Sequence, residues 1–232
     1  MKFEMHEAKL VVTPLAQHFK LSKYQAPQME DERRHMGSIQ YASCAGCLMY
    51  AMVCTRPDLA YAMSIIRRFI TDPGLKHLDS VKWVMRYVKR SLNLGLVYKA
   101  NRRRRCEVEG FVDSAYADYI YTRRSLIGYI FTALGGCISW KSNLQRVVVL
   151  SSTEAEFMVA TEAIKEAIWL KGLIKELVFR SDDITGHCNN QSALHLMKNP
   201  MFHDRSKHID IKLYFIRDII AKKEIQVKKD LY

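Results

Sequence analysis

Apolar residues recur at helical intervals over one long stretch, and the rest of the chain is organised around it. Between Val147 and Phe179, the positions Phe157, Ala160, Ile164, Ala167, Ile168, Leu173, Ile174 and Leu177 fall on one helical face. Just ahead, Val147–Leu150 is β-branched and apolar and reads as a buried strand. Ser151, Ser152 and Thr153 supply cap chemistry, and Ser151 with Glu154, or Thr153 with Glu156, has capping-box spacing. Glu154 and Glu156 fall in the predicted first turn, a quarter-circle or more apart. One of them can cap the helix while the other faces elsewhere. Two acids in a first turn also complement the helix dipole with no further role.

Upstream, Tyr41–Ser91 is a helical block. Ala42–Val53 reads as a small-residue apolar helix. Thr55 caps a second, with Pro57 in its first turn, where the missing N–H costs nothing. Asp72-Pro73-Gly74 ends that helix, and a third runs from about Leu75 to Arg90 with one basic side, either solvated or following phosphates. Met1–Ser38 has weak periodicity, two prolines and the charged run Glu30–Arg34, and reads as loop or linker belonging to something longer. From Cys106 the pattern shifts to strands. Val108–Val112 leads into Asp113, Ser125–Thr132 and Cys137–Trp140 form a hairpin about Gly135-Gly136, and Ile184–Cys188 is a further short strand. Gln191–Met197 is a short helix, Pro200 breaks the chain, and Lys207–Ile220 is a final helix. This order predicts a mixed α/β layer fold. The basic run Asn101–Arg105 separates the two patterns, so the expected domains are residues 1–100 and 106–232.

Charge changes the picture more than bulk composition does. At 49% hydrophobic and 26% charged residues, the chain can bury a core. A formal net charge of +12 favours a polyanionic partner, most simply nucleic acid, although a merely soluble basic protein fits the same number. Asn101–Arg105 reads as a solvated run that would add sequence-independent affinity beside a nucleic-acid groove. Six cysteines, several inside apolar runs and behind no signal peptide, read as buried thiols in a reducing compartment. Cys44-x-x-Cys47 is half a zinc motif whose second half is missing. Leu48–Cys54, the longest uncharged apolar run, is too short to cross a bilayer. The expectation is an intracellular protein of a cytoplasmic particle or the nucleus, with no membrane partner. Trp83, Trp140 and Trp169 sit among apolar neighbours and read as core.

Four positions stand where a strand ends or a helix begins: Asp113, Glu156, Asn189 and Asp210. Acids converging at the mouth of a sheet repel unless a cation lies between them, and hard oxygens suit Mg²⁺ or Mn²⁺. Two such ions would hold a phosphodiester and activate water.

Many ordered segments carry a family resemblance: TPLAQHFKLSK (13–23), YASCAGCLMYAMVCTRPDLAYA (41–62), VKWVMRYVKRS (81–91), FVDSAYAD (111–118), RRS (123–125), ISWKS (138–142), LSSTEAEFM (150–158), EAIWLK (166–171), NQSALHLMKNP (190–200) and KHIDIK (207–212). Almost the whole chain resembles the end of a copia-type long-terminal-repeat retrotransposon Pol polyprotein, the tail of its reverse transcriptase followed by its ribonuclease H domain. The resemblance implies a ribonuclease H-like mixed sheet flanked by helices, preceded by a small helical thumb or connection remnant. It implies cleavage of the RNA strand of an RNA–DNA hybrid with two Mg²⁺ or Mn²⁺ ions, and the upstream polymerase as a partner. Asp113, Glu156 and Asp210 take the places of family acids that hold metal. Gln191 takes that of the glutamine facing the hybrid's minor groove, where the 2′-hydroxyls mark RNA. Arg123, Arg124 and Lys207 would contact phosphates.

Where the family has an aspartate, this chain has Asn189, which brings an amide oxygen and no charge. Ala115 and Tyr119 also stand at positions where the family usually has aspartates, and the Y-x-D-D signature of the polymerase palm is missing from the sequence. His203 and His208 flank Asp210 and serve either proton transfer or packing. The expected function is therefore a ribonuclease H-like protein impaired by Asn189. The rival is a non-catalytic binder of nucleic acid, or a decayed copy with no role.

Overall fold

The computed structural model describes residues 5, 7–99, 105–119, 121–177, 180–181, 184–199 and 209–229. They form two compact units, Met1–Leu96 and Val97–Tyr232.

The first unit is helical: α1 (Glu30–Ser38), α2 (Tyr41–Cys54), α3 (Ala60–Ile66) and α4 (Leu75–Arg90). The charged run expected to be loop is α1, because Glu30, Asp31 and Glu32 crowd its first turn, where the helix dipole favours anions. Thr55 does not cap a second helix. Its N–H closes α2 on the Ala51 carbonyl, and a 3-10 turn at Pro57–Leu59 leads into the short α3. Tyr41, Leu59, Met63, Ile66 and Val84 are almost fully buried in the core. Two polar devices fasten this core. The buried Arg56 makes a fork onto Asp58 at 2.9 and 2.7 Å and reaches Ser91 Oγ at 2.6 Å, joining the turn before α3 to the end of α4. His77 is fully buried and stacks on Phe69 with ring centroids 4.1 Å apart. Its Nδ1 accepts from the Gly74 N–H at 2.8 Å, so Nε2 carries the proton that points at the Ser22 carbonyl, 3.0 Å away. Burial holds its pKa below the ordinary histidine value.

The second unit contains seven strands and three helices among its described residues. A two-stranded parallel pair joins β1 (Arg105–Cys106) to β5 (Arg180–Ser181). The main sheet comprises β2 (Val108–Tyr119), β3 (Arg124–Ala133), β4 (Gly136–Leu144), β6 (Ile184–Cys188) and β7 (Ile225–Lys229). Their order is β4-β3-β2-β6-β7, with β2, β3 and β4 antiparallel and β6 and β7 parallel to β2. Helices α5 (Ser152–Glu176), α6 (Gln191–Lys198) and α7 (Asp210–Ala221) complete the unit. Val108, Phe131, Phe157, Ile184, Met197, Leu213, Ile216 and Ile225 form the heart of its core. This is the ribonuclease H-like mixed sheet flanked by helices that the family resemblance implies.

Several sequence expectations shift here. The hairpin turn lies one residue earlier, at Leu134 and Gly135, both left-handed with φ of 54° and 77°, which is the backbone a two-residue turn between twisted strands requires. β2 is twelve residues long rather than five, because its pairing with β3 runs past Asp113 to Ala115 and resumes at Tyr119 after a bulge. Val147–Leu150 forms no strand: Val147, Val148 and Leu150 are exposed and only Val149 is buried. The buried Gln145 explains the departure. Its backbone N–H bonds the Ser125 carbonyl at 2.8 Å while its side-chain amide bonds the Ala155 carbonyl at 2.9 Å, turning the chain from the sheet into α5. Trp169 is 60% exposed rather than core, and Cys47 and Cys54 are exposed free thiols. No helix among the described residues is long and apolar enough to cross a membrane.

The bulge in β2 carries a testable strain. Ala117 has φ 50°, a left-handed conformation that only glycine adopts freely, and its N–H is tied to Ser125 Oγ at 3.1 Å. Ala117→Gly is expected to stabilise the second unit by about 1 kcal/mol, read as a higher urea midpoint. A lower midpoint would show that the bulge is not strained.

Candidate active site

The parallel ladder between β2 and β6 ends at the pair Val112–Cys188. Asp113 is the next residue of β2 and Asn189 the residue just after β6, so the end of that ladder sets them side by side. The Asn189 Nδ2 donates to Asp113 Oδ1 at 3.4 Å, a long contact between two exposed side chains. Asp113 is mid-strand with respect to β3, and it is an end only on the β6 side.

The first turns of α5 settle the division of labour between its two acids. Ser151 Oγ accepts from the Glu154 N–H at 3.1 Å, and the Glu154 carboxylate accepts from the Leu150 N–H at 2.9 Å. Ser151 is therefore the N-cap, and Glu154 backs it by holding the Leu150 N–H. Glu156 lies two residues on, on a different face, and is 5% exposed. Its Oε1 accepts from the Ser114 N–H at 3.1 Å and from Ser114 Oγ at 3.0 Å. Its Oε2 is buried with no hydrogen-bond partner among the described residues. Burial raises the Glu156 pKa, the two bonds from Ser114 pull it down, and the charge of Asp113 pushes it up again. Ser114 is the residue that sequence reasoning passed over: the V-D-S motif contains it, yet only the fold shows that it seats Glu156.

The other expected site residues are more dispersed. Asp210 is half-buried as the first residue of α7, where it complements the helix dipole. Among the described residues, no three acidic, histidine or cysteine side chains form a group able to hold a metal ion. Asp210 thus does not join Asp113 and Glu156 in one. Gln191 is exposed as the first residue of α6, whose cap is the Asn190 side chain accepting from the Ala193 N–H at 2.9 Å. Arg123 and Arg124 are exposed at the hairpin where β2 meets β3, and Arg123 is left-handed with φ 52°. Lys207, His203, His208 and Arg102–Arg104 lie outside the described residues.

The chemistry of the donors suits one hard cation better than two. Asp113 and Glu156 offer oxygens, one of them buried and unsatisfied. Asn189 presents its amide N–H to Asp113. The residues as placed therefore supply part of a divalent-ion site and do not fit a two-ion centre.

With a mixed sheet of this order flanked by helices, the unit has a ribonuclease H-like fold. The chain is 43% identical over 228 residues to the retrovirus-related Pol polyprotein from transposon TNT 1-94 of Nicotiana tabacum, covering 98% of this chain and 17% of that protein. It is 33% identical over 228 residues to the Pol polyprotein from transposon RE1 of Arabidopsis thaliana, covering 96% of this chain and 15% of that one. The secreted RxLR effector protein 161 of Plasmopara viticola is 42% identical over 135 residues, 58% of this chain and 94% of that protein. Among solved structures, LC11-RNase H1 in complex with an RNA/DNA hybrid overlaps 53% of this chain and 83% of its own, at 13% identity and a TM-score of 0.38. No family model matches the chain. The chain belongs to the copia-type, retrovirus-related Pol polyproteins, and it spans about a sixth of the length of the plant relatives it matches.

Proposed function

We propose that residues 1–100 are the end of a reverse transcriptase and residues 106–232 a ribonuclease H domain that grips an RNA–DNA hybrid and cuts its RNA strand only feebly. The contact between Asn189 and Asp113 carries this reading, because an amide stands where a metal site needs a further charge. Divalent magnesium or manganese, when bound, supplies charge for the scissile phosphate and a water of lowered pKa. On the protein side, Ser114 orients Glu156 through two hydrogen bonds and leaves one carboxylate oxygen for a ligand. Asp113 offers the second carboxylate, and Asp210 would add a third only by moving toward them from the first turn of α7. Asn189 adds no charge, so both ion affinity and transition-state stabilisation fall. Gln191 would read the minor groove, while Arg123, Arg124 and Lys207 would hold phosphates. The helical segment has no palm acids and so does not polymerise DNA. The upstream polymerase of the polyprotein is its expected partner. The non-catalytic binder differs only in having no residual cleavage, and the same Asn189–Asp113 contact favours it.

Fluorescence anisotropy with a labelled RNA–DNA hybrid and a DNA duplex of identical sequence tests the substrate class. The parent chain is expected to prefer the hybrid, and Gln191→Ala to lose most of that preference at unchanged salt dependence. Equal affinity of the parent for both duplexes would overturn the assignment.

A further inference from the structure

The first unit contains a cavity of about 570 Å³ between the segment around Phe19 and the basic face of α4. Its charge is one-sided: among the described residues, Lys9, Lys20, Lys76, Lys82 and Arg86 line it against a single carboxylate, Asp79. Among the described residues, none of these five cations is in an ion pair. The wall behind them is aromatic. The Trp83 indole N–H donates to the Thr13 carbonyl at 2.9 Å, and the rings of His18 and Phe19 meet Trp83 edge-on at 5.5 and 5.6 Å. The Arg86 guanidinium lies over that indole, 4.7 Å from its centroid, with its Nε buried and without a hydrogen-bond partner among the described residues.

We propose that this cavity is a second site, one that binds a nucleotide unit through its phosphate. A guanidinium stacked on an indole keeps its planar fork in one orientation, which suits two-pronged recognition of a phosphate. Several ammonium groups around one such fork would also repel one another, and a phosphate dianion or diester relieves that repulsion. The volume exceeds what a lone phosphate fills, so sugar and base enter with it, the base against the aromatic wall. The concave shape suits a flexible single strand or a free nucleotide, not a stiff duplex. The inference is independent of the hybrid-directed reading of the second unit.

The test uses the full-length chain and a fluorescently labelled oligothymidylate of about ten nucleotides, a length of the order one such site occupies. Arg86→Gln, and separately the double variant Lys76→Gln/Lys82→Gln, are each expected to weaken its binding by about tenfold and to flatten the dependence on salt. Affinity for the RNA–DNA hybrid should change less than about twofold in the same variants, which separates this site from the one in the second unit. Arg86 also packs on Trp83, so the exposed lysine pair keeps the test decisive if Arg86→Gln fails to fold. Displacement by adenosine monophosphate or inorganic phosphate would identify a free phosphate-bearing ligand. Displacement by unlabelled oligonucleotide alone would identify a nucleic-acid strand. Parent-like oligonucleotide affinity in the lysine variant, or no measurable binding to the parent, overturns the proposal.

Discussion

Asn189→Asp is expected to raise Mg²⁺-dependent cleavage of an RNA–DNA hybrid by about two orders of magnitude over the parent chain. Asn189 follows the last β6 residue and meets Asp113 directly, so the new carboxylate would arrive at a place already shaped for it. The change removes the amide N–H now aimed at Asp113 and replaces it with a like charge. That pair is unfavourable without a cation and favourable around one, which couples the substitution to metal. Removing a single preorganised electrostatic group from an active site costs roughly 3 kcal/mol, about a hundredfold in rate, and the gain here should be of that order. Asp113→Asn introduced into Asn189→Asp should abolish it. A folded, hybrid-binding Asn189→Asp that cuts nothing would place the deeper lesion in the β2 bulge between Ala115 and Tyr119, where the family resemblance implies acids.

The second large effect concerns stability. Gly74 caps α4 and lies directly against the backbone carbonyl of Gln25, where any Cβ would collide. Backbone cannot rotate away as a side chain can, and the same glycine's N–H holds Nδ1 of the buried His77. Gly74→Ala should therefore destabilise the first unit by about 3 kcal/mol, through overpacking and a loosened His77. Urea unfolding followed by circular dichroism measures it, and a midpoint equal to the parent's would show that the segment around Gln25 gives way freely.

How far the sequence foretells this molecule depends on whether the signal is periodic. The long helix α5 is legible, because a 3.6-residue apolar repeat behind serines and a threonine has few other readings, whereas the choice of Ser151–Glu154 over Thr153–Glu156 as its cap needs the structure. α4 is legible within the same limits, since apolar and basic residues divide its faces. Val147–Leu150 misleads, since β-branched residues favour a strand only where a neighbouring strand is free to pair, and Gln145 has already turned the chain away. β7 escapes detection because five residues with two lysines at the end carry little pattern, and pairing with β6 makes the strand. Asp113 and Asn189 can be nominated from strand ends, but their contact follows from the register of the β2–β6 ladder, which no local pattern encodes. The seat that Ser114 provides for Glu156 spans 42 residues of chain and is equally invisible before folding.

The claim that Asn189 leaves the site short of a carboxylate is tested most directly by metal binding rather than turnover. Calorimetric titration of Mn²⁺ into the parent chain and Asn189→Asp should show affinity rising at least about tenfold in the variant, consistent with the worth of an added anionic ligand. Asp113→Asn in that background should return affinity to the parent's value. Equal Mn²⁺ affinity in the parent and Asn189→Asp would contradict the claim.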